Sequence, residues 1–109
     1  MTSLDDTRSR VVREAFGTLS GGASVERVTL RAAQGFEVAV ITFGAAVQAL
    51  RVPDRHGRCA DIVLGHDELA PYVAQRRFFG ATVGRYANRI GGGRFALDGR
   101  TVQLPLNDG

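Results

Sequence analysis

The alternation of apolar and polar side chains predicts a series of short β-strands. In residues 24–32, SVERVTLRA, the side chains of Val28, Leu30 and Ala32 fall on one face, and arginine and threonine fall on the other. This period of two is typical of a half-buried strand. Residues 36–43, FEVAVITF, are apolar on both faces. They are therefore predicted to form a central strand that is covered on two sides.

The next segment predicts two further strands and the only helical candidate. The pattern predicts a strand over residues 45–52, a polar turn over 53–58 and a short strand over 60–65. Residues 66–75, HDELAPYVAQ, have helical spacing of their apolar positions. Because Pro71 lies deep in this segment, only one or two helical turns are expected.

A hairpin is predicted close to the end of the sequence. Residues 94–107, RFALDGRTVQLPLN, place two alternating apolar runs on either side of Asp98–Gly99. An Asp-Gly pair favours a two-residue type I′ turn, because that turn needs positive φ at both positions.

These elements predict an all-β fold with five to seven short strands and one helical turn, a number that suits a sandwich. Residues 1–11 are polar and charged and are predicted to be a disordered N-terminus. Residues 12–109 are predicted to form one β domain, since neither a repeat nor a low-complexity linker divides them.

The composition agrees with a globular domain, and the sequence shows neither a membrane span nor a secretory signal. The chain has 109 residues, of which 44% are hydrophobic and 23% charged. It contains no run of 18 apolar residues, so no membrane span is expected. The first ten residues lack the apolar stretch of a secretory signal, and a cytoplasmic location is expected. Cys59 is the only cysteine, which rules out an internal disulfide.

The charged residues exclude several function classes. All fourteen basic residues are arginines, and the formal net charge is +3. Without lysine, the chain has neither a Walker A loop nor a Schiff-base nucleophile. The arginines are spread along the chain, which argues against a nucleic-acid partner. His56 and His66 lack the spacing of metal ligands, so no metal or cofactor site is predicted.

The unusual chemistry of the chain is concentrated in residues 78–95, FFGATVGRYANRIGGGRF. Its glycine spacing does not fit a phosphate-binding loop. The stretch is interpreted as a bent strand: adjacent side chains of a strand point to opposite faces, so Asn88 and Arg89 both reach one ligand only if the strand bends, and Gly91–Gly93 supply a bend. An amide beside a guanidinium suits vicinal hydroxyls. Alternatively, Arg85 and Arg89 pair with acids on neighbouring strands, and composition alone favours this second interpretation.

The stretch FFGATVGRYANRIGGGRFALDGRTVQLPLNDG resembles the aldose 1-epimerase (galactose mutarotase) family, and FGAAVQALRVPDRHGRCADIVLGHDELAPYV resembles the segment that precedes it there. The resemblance runs from about residue 24 to residue 109. It implies the N-terminal part of a large, antiparallel, galactose mutarotase-like β-sandwich. It also implies interconversion of the α and β anomers of aldoses such as galactose and glucose, by acid–base catalysis and without a cofactor.

The resemblance assigns sugar binding to Asn88 and Arg89, and a structural role to Arg85. The family's catalytic histidines and glutamate follow the matched segment, and His56 and His66 match none of them. We therefore expect an N-terminal fragment that carries part of the sugar site, has no catalytic residue and is inactive alone.

Three further hypotheses remain open at the level of sequence. The arginines make a hexose-6-phosphate 1-epimerase conceivable. A non-catalytic carbohydrate-binding β module would bind sugar without turnover. Because an incomplete sandwich leaves unpaired strand edges and an open apolar face, self-association is also expected.

Overall fold

The computed structural model describes residues 10–74 and 77–109, and its main element is a five-stranded antiparallel sheet whose strands lie side by side in chain order. The strands are β1 (Arg10–Thr18), β2 (Ser24–Arg31), β3 (Glu37–Ile41), β4 (Ala46–Pro53) and β5 (Cys59–Asp61). A short helix, α1 (Leu69–Ala74), follows, and β6 (Arg94–Leu97) and β7 (Arg100–Gln103) form a separate hairpin. The central position predicted for residues 36–43 is confirmed, because β3 lies in the middle of the sheet, but the strand is shorter than predicted and only one of its faces is well buried.

The small core lies at one end of one sheet face, under helix α1. Val25, Ile41, Ala46 and Leu69 form its buried cluster, and Ile41 is 0% exposed. The helix approaches the sheet closely at Gly17, where a Cβ atom would lie 2.8 Å from the side chain of Leu69. Helix α1 therefore packs against the apolar end of the sheet and buries it.

The opposite face of the sheet is apolar and only partly covered. Cross-strand pairing aligns Leu30 with Val38, and Val38 with Leu50, on this face. Leu30 is nevertheless 45% exposed. The radius of gyration is 19.1 Å, whereas a compact domain of about 100 residues has a radius of about 13 Å. The described residues thus form an open sheet with an accessible apolar face.

A chain of polar contacts fastens the helix and the following loop to β4. Gln48 is buried, and its Nε2 donates to the His66 carbonyl at 3.0 Å. The backbone N–H of His66 donates to the Tyr72 hydroxyl at 2.9 Å. Further along, the Val47 N–H donates to the Gly80 carbonyl at 2.8 Å. This last bond sets where the loop after the helix leaves the sheet.

Strand β1 corrects the predicted N-terminal boundary. The strand begins at Arg10, so Arg10 and Val11, which were predicted to be disordered, pair with β2. The remainder of that prediction, residues 1–9, lies outside the described residues. The strand was missed because RVVREAFGT does not alternate cleanly and carries few buried side chains.

Strand β5 is shorter than the predicted strand over residues 60–65. The carboxylate of Asp61 accepts hydrogen bonds from the N–H groups of Leu50 at 3.0 Å and Val63 at 3.1 Å. A side chain therefore takes the place of a backbone partner, and the strand ends at Asp61.

The predicted helix and hairpin are present. Helix α1 has six residues, too few to cross a bilayer, and it is the only α-helix in the described ranges. The last residue of the predicted segment, Gln75, lies outside those ranges. In the hairpin, Asp98 and Gly99 have φ of 50° and 73°. These values confirm the type I′ prediction.

Candidate functional site

A cleft of about 760 Å³ lies between the segment after Gly80 and the residues after β7. One wall comes from residues 86–93 and the other from residues 104–109. Its lining is a mixture of polar side chains, small apolar ones and bare glycine backbone, comprising Tyr86, Asn88, Arg89, Ile90, Gly91, Gly92, Gly93, Leu104, Pro105, Leu106, Asn107, Asp108 and Gly109.

Asn88 and Arg89, the predicted site residues, both line this cleft. Asn88 has φ of 65°, a left-handed conformation that asparagine tolerates better than most residues. The bend that would let two adjacent side chains serve one ligand therefore begins at Asn88 itself. The surrounding segment is not the bent strand that the sequence predicted. Residues 81–90 form neither helix nor strand, and they pair with neither of the described sheets.

The three glycines form a tight turn that is tied to the end of β7. Gly92 and Gly93 have φ of 65° and 61°. The Gly93 N–H donates to the Ile90 carbonyl at 2.8 Å, and the Gly93 carbonyl accepts from the Leu104 N–H at 2.7 Å. A Cβ at position 93 would lie 3.1 Å from the Leu104 carbonyl oxygen. The predicted glycine bend is confirmed, and its closeness to β7 closes one end of the cleft.

Gln103 reinforces the same corner. Its Nε2 donates to the carbonyls of Gly92 at 3.1 Å and Leu104 at 3.0 Å. Its Oε1 accepts from the Nε of Arg94 at 3.1 Å. One amide thus connects the glycine turn with both strands of the hairpin.

Arg89 forms an ion pair across the cleft. Its Nε lies 2.5 Å from Oδ2 of Asp108, with the two side chains 74% and 62% exposed. The prediction that Arg89 pairs with an acid is therefore correct, but the acid lies beyond β7 and not on a neighbouring strand. Arg85 is exposed and outside the cleft lining, and the described residues give it no ion pair.

The histidines lie away from the cleft. His56 is exposed in the turn after β4, where its N–H donates to Asp54 Oδ1 at 2.7 Å. The His66 ring is half-buried and stacks on Phe79, with ring centroids 5.3 Å apart. Within residues 10–74 and 77–109, no group of three or more potential ligands is placed to hold a metal ion.

A second, smaller hollow of about 240 Å³ lies on the charged face of the large sheet. Two ion pairs cross it: Arg27 to Glu14 at 2.7 Å and Arg31 to Glu37 at 2.8 Å. The lining of this hollow contains neither Asn88 nor Arg89, so it includes none of the predicted site residues.

Sequence reasoning missed two contributors to the cleft, Tyr86 and Asp108. Tyr86 lies inside the motif stretch, where a tyrosine two positions before Asn88 was a usable signal, and the structure leaves it exposed. Asp108 carried no such signal. It lies nineteen positions after Arg89, and only the return of the chain through the hairpin brings the two together.

The comparisons with known proteins agree on one family. The model of the aldose 1-epimerase family matches residues 26–109. A galactose mutarotase from Rattus norvegicus is 48% identical over 98 residues, covering 89% of this chain and 28% of the relative. An aldose 1-epimerase from Escherichia coli strain K12 is 36% identical over 88 residues, covering 81% of this chain and 25% of the relative.

A solved structure gives the same result at the level of the fold. The crystal structure of galactose 1-epimerase from Lactobacillus acidophilus NCFM superposes with a TM-score of 0.71 at 26% identity. The match covers 94% of this chain and 29% of that one. The all-β fold class is thereby confirmed. The chain spans between a quarter and a third of the length of these relatives.

Proposed function

Because the chain belongs to the aldose 1-epimerase family, we propose that it binds an aldose such as galactose or glucose for interconversion of the α and β anomers. The observation that carries the proposal is the cleft, which brings Asn88 and Arg89 together inside the family-matched segment. The reaction is the one for which the relatives, a galactose mutarotase and an aldose 1-epimerase, are named.

The two side chains have complementary roles in this proposal. The Asn88 amide both donates and accepts hydrogen bonds, so it can engage a hydroxyl in either direction. The Arg89 guanidinium donates from several nitrogens held in one plane, which suits two neighbouring oxygen atoms. Asn88 is itself left-handed, Ile90 after Arg89 is extended, and both site residues are exposed and line the cleft. Their proposed task is to bind and orient the sugar ring.

Proton transfer is not assigned to the described residues. Ring opening needs an acid and a base within hydrogen-bonding reach of the sugar. The cleft lining, as far as the chain is described, contains neither histidine nor glutamate. We therefore propose that the 109-residue chain does not accelerate mutarotation. Polarimetry of fresh α-galactose tests this, and a rate above that in buffer would contradict it.

Sugar binding itself is tested with matched arginine variants. Saturation-transfer NMR with galactose is expected to show weak binding by the wild type. Arg89→Ala is expected to reduce the affinity about tenfold or more, because a charged hydrogen bond is lost. Arg85→Ala, which removes an exposed arginine outside the cleft lining, serves as the control and should bind as the wild type does. Equal losses in both variants would argue against the cleft.

We also propose that the isolated chain self-associates through the apolar face of the five-stranded sheet, with a second copy as the partner. The partial exposure of Val11 and Leu30 on this face supports the proposal. Leu30→Glu, on that face, should then shift size-exclusion elution toward the monomer, whereas Leu97→Glu, on the hairpin, should not. A wild-type monomer at all concentrations would contradict it.

A cytoplasmic location, with neither nucleic acid nor membrane as a partner, belongs to the same proposal. The arginines are spread along the sequence and not clustered, which supports the absence of a nucleic-acid partner. Fractionation of cells that express the tagged protein tests the location.

A further inference from the structure

We propose that Asp108 is a positioning residue for Arg89, and that it makes the cleft select neutral sugars over phosphorylated ones. The inference rests on the proposed function, because it concerns the same cleft. It goes further by assigning a role to a residue to which the family resemblance assigned none.

The geometry of the ion pair leaves the outer part of Arg89 available. Asp108 Oδ2 contacts Nε of Arg89, the nitrogen closest to the aliphatic part of the side chain. Within the described structure, the two terminal nitrogens of Arg89 have no hydrogen-bond partner. Asp108 thus anchors the base of the guanidinium, while the terminal N–H groups can still donate to hydroxyls. Holding a long side chain before the ligand arrives lowers the entropy lost on binding.

The position of Asp108 is set by the cleft wall to which it belongs, residues 104–109. The wall starts at Leu104, whose N–H donates to the Gly93 carbonyl at 2.7 Å. Asp108 has φ of 54°, so the chain turns at this residue. The ion pair therefore joins the two walls of the cleft at a second point, in addition to the corner that Gln103 fastens.

Charge in the cleft favours a neutral ligand. Arg89 is the only cationic side chain that lines the cleft in the described chain, and Asp108 is the only acidic one. A phosphate group needs free, charged donors, and Arg89 already faces a carboxylate. An approaching phosphate would meet the Asp108 charge as well. A sugar hydroxyl carries no charge, so the Asp108 carboxylate does not repel it.

The test compares Asp108→Asn and Asp108→Glu with the wild type, using galactose and galactose 6-phosphate as probes. In Asp108→Asn, galactose affinity is expected to fall about threefold to tenfold as Arg89 loses its anchor. Galactose 6-phosphate affinity is expected to rise about tenfold, since the cation is released. Asp108→Glu should restore the preference of the wild type. A purely structural role would weaken both probes together.

A second readout does not depend on sugar binding. In the wild type, the Arg89 Nε–H signal in ¹⁵N NMR should be shifted and protected from exchange, and Asp108→Asn should abolish both effects. An unchanged Nε–H signal, or parallel changes with both probes, would overturn the proposal. If the wild type binds no galactose while the Nε–H signal responds, the proposed function fails but the positioning role of Asp108 stands.

Discussion

The five-stranded sheet and the cleft are held together by different interactions. The sheet has backbone ladders between all five strands and a core in which Ile41 is fully buried. The cleft depends on a glycine turn, the Gln103 amide and an exposed ion pair. Exposed ion pairs stabilise a fold by only about 0–1 kcal/mol. Stability therefore resides mainly in the sheet, and the cleft can change its chemistry at little cost to folding.

The two regions meet at β4. Gly80 pairs with Val47, on a stretch of the strand that the short β5 does not cover, since β5 pairs only with Arg51–Pro53. A backbone bond thus anchors the segment that leads to Asn88. Variants on either side of this junction separate the contributions of the two regions.

The largest effect is expected from truncation in the core. Ile41→Ala should lower the free energy of unfolding by about 3 kcal/mol, because it removes buried methylene groups and leaves a cavity. Ile62→Ala makes the same change at a side chain that is 60% exposed, and should cost at most about 0.5 kcal/mol. Urea unfolding followed by circular dichroism measures both. Similar losses in the two variants would mean that Ile41 is not at the centre of the stable region.

A smaller effect is expected at the junction. Gly80 has φ of 64°, and a Cβ there would collide with the Val47 carbonyl oxygen. Gly80→Ala should therefore cost about 2 kcal/mol through backbone strain and displacement of the loop. Gly21→Ala is the control, because a Cβ at Gly21 meets nothing within 4 Å and its φ is not positive. If the two variants melt at the same temperature, the loop is not anchored at Val47.

A local effect is expected in the hairpin. Gly99 has φ of 73°, so Gly99→Ala should cost about 1 kcal/mol. Hydrogen exchange of the β6 and β7 amides should accelerate about fivefold, and that of the β3 amides should not change. Faster exchange in β3 as well would show that hairpin and sheet unfold as one unit.

The smallest effect is expected at a surface ion pair of the sheet. Arg13 lies 3.4 Å from Glu26, and both side chains are well exposed. Arg13→Gln should cost about 0.3 kcal/mol, and the loss should disappear in about 1 M salt. A loss above about 1 kcal/mol would contradict the view that exposed pairs add little here.

The parts of the fold that the sequence predicted are those with local signals. Alternation identified β2, a run of apolar residues identified β3, and the Asp98–Gly99 pair identified the hairpin turn. Edge strand β1 escaped, because its stability comes from pairing with β2 and not from buried side chains of its own. The end of β5 depends on the bonds of the Asp61 carboxylate, and these become visible only when β4 lies alongside.

The candidate site likewise contains residues that the sequence could suggest and residues that it could not. Asn88, Arg89 and the glycine bend lie within a few residues of each other, so one stretch of sequence could suggest them. Asp108 and Gln103 join the site only after the hairpin folds back, and neither shows a pattern that points to this cleft. Long-range polar contacts of this kind depend on the path of the chain, which single-sequence periodicity does not report.

The most direct test of the account is a galactose titration followed by ¹⁵N–¹H NMR. The account predicts that shifts concentrate in the amides of residues 86–93 and 104–109, leave β1–β3 unchanged, and disappear in Arg89→Ala while the sheet spectrum is preserved. Absence of shifts in the wild type, or the same shifts in Arg89→Ala, would contradict the claim that this cleft binds the sugar.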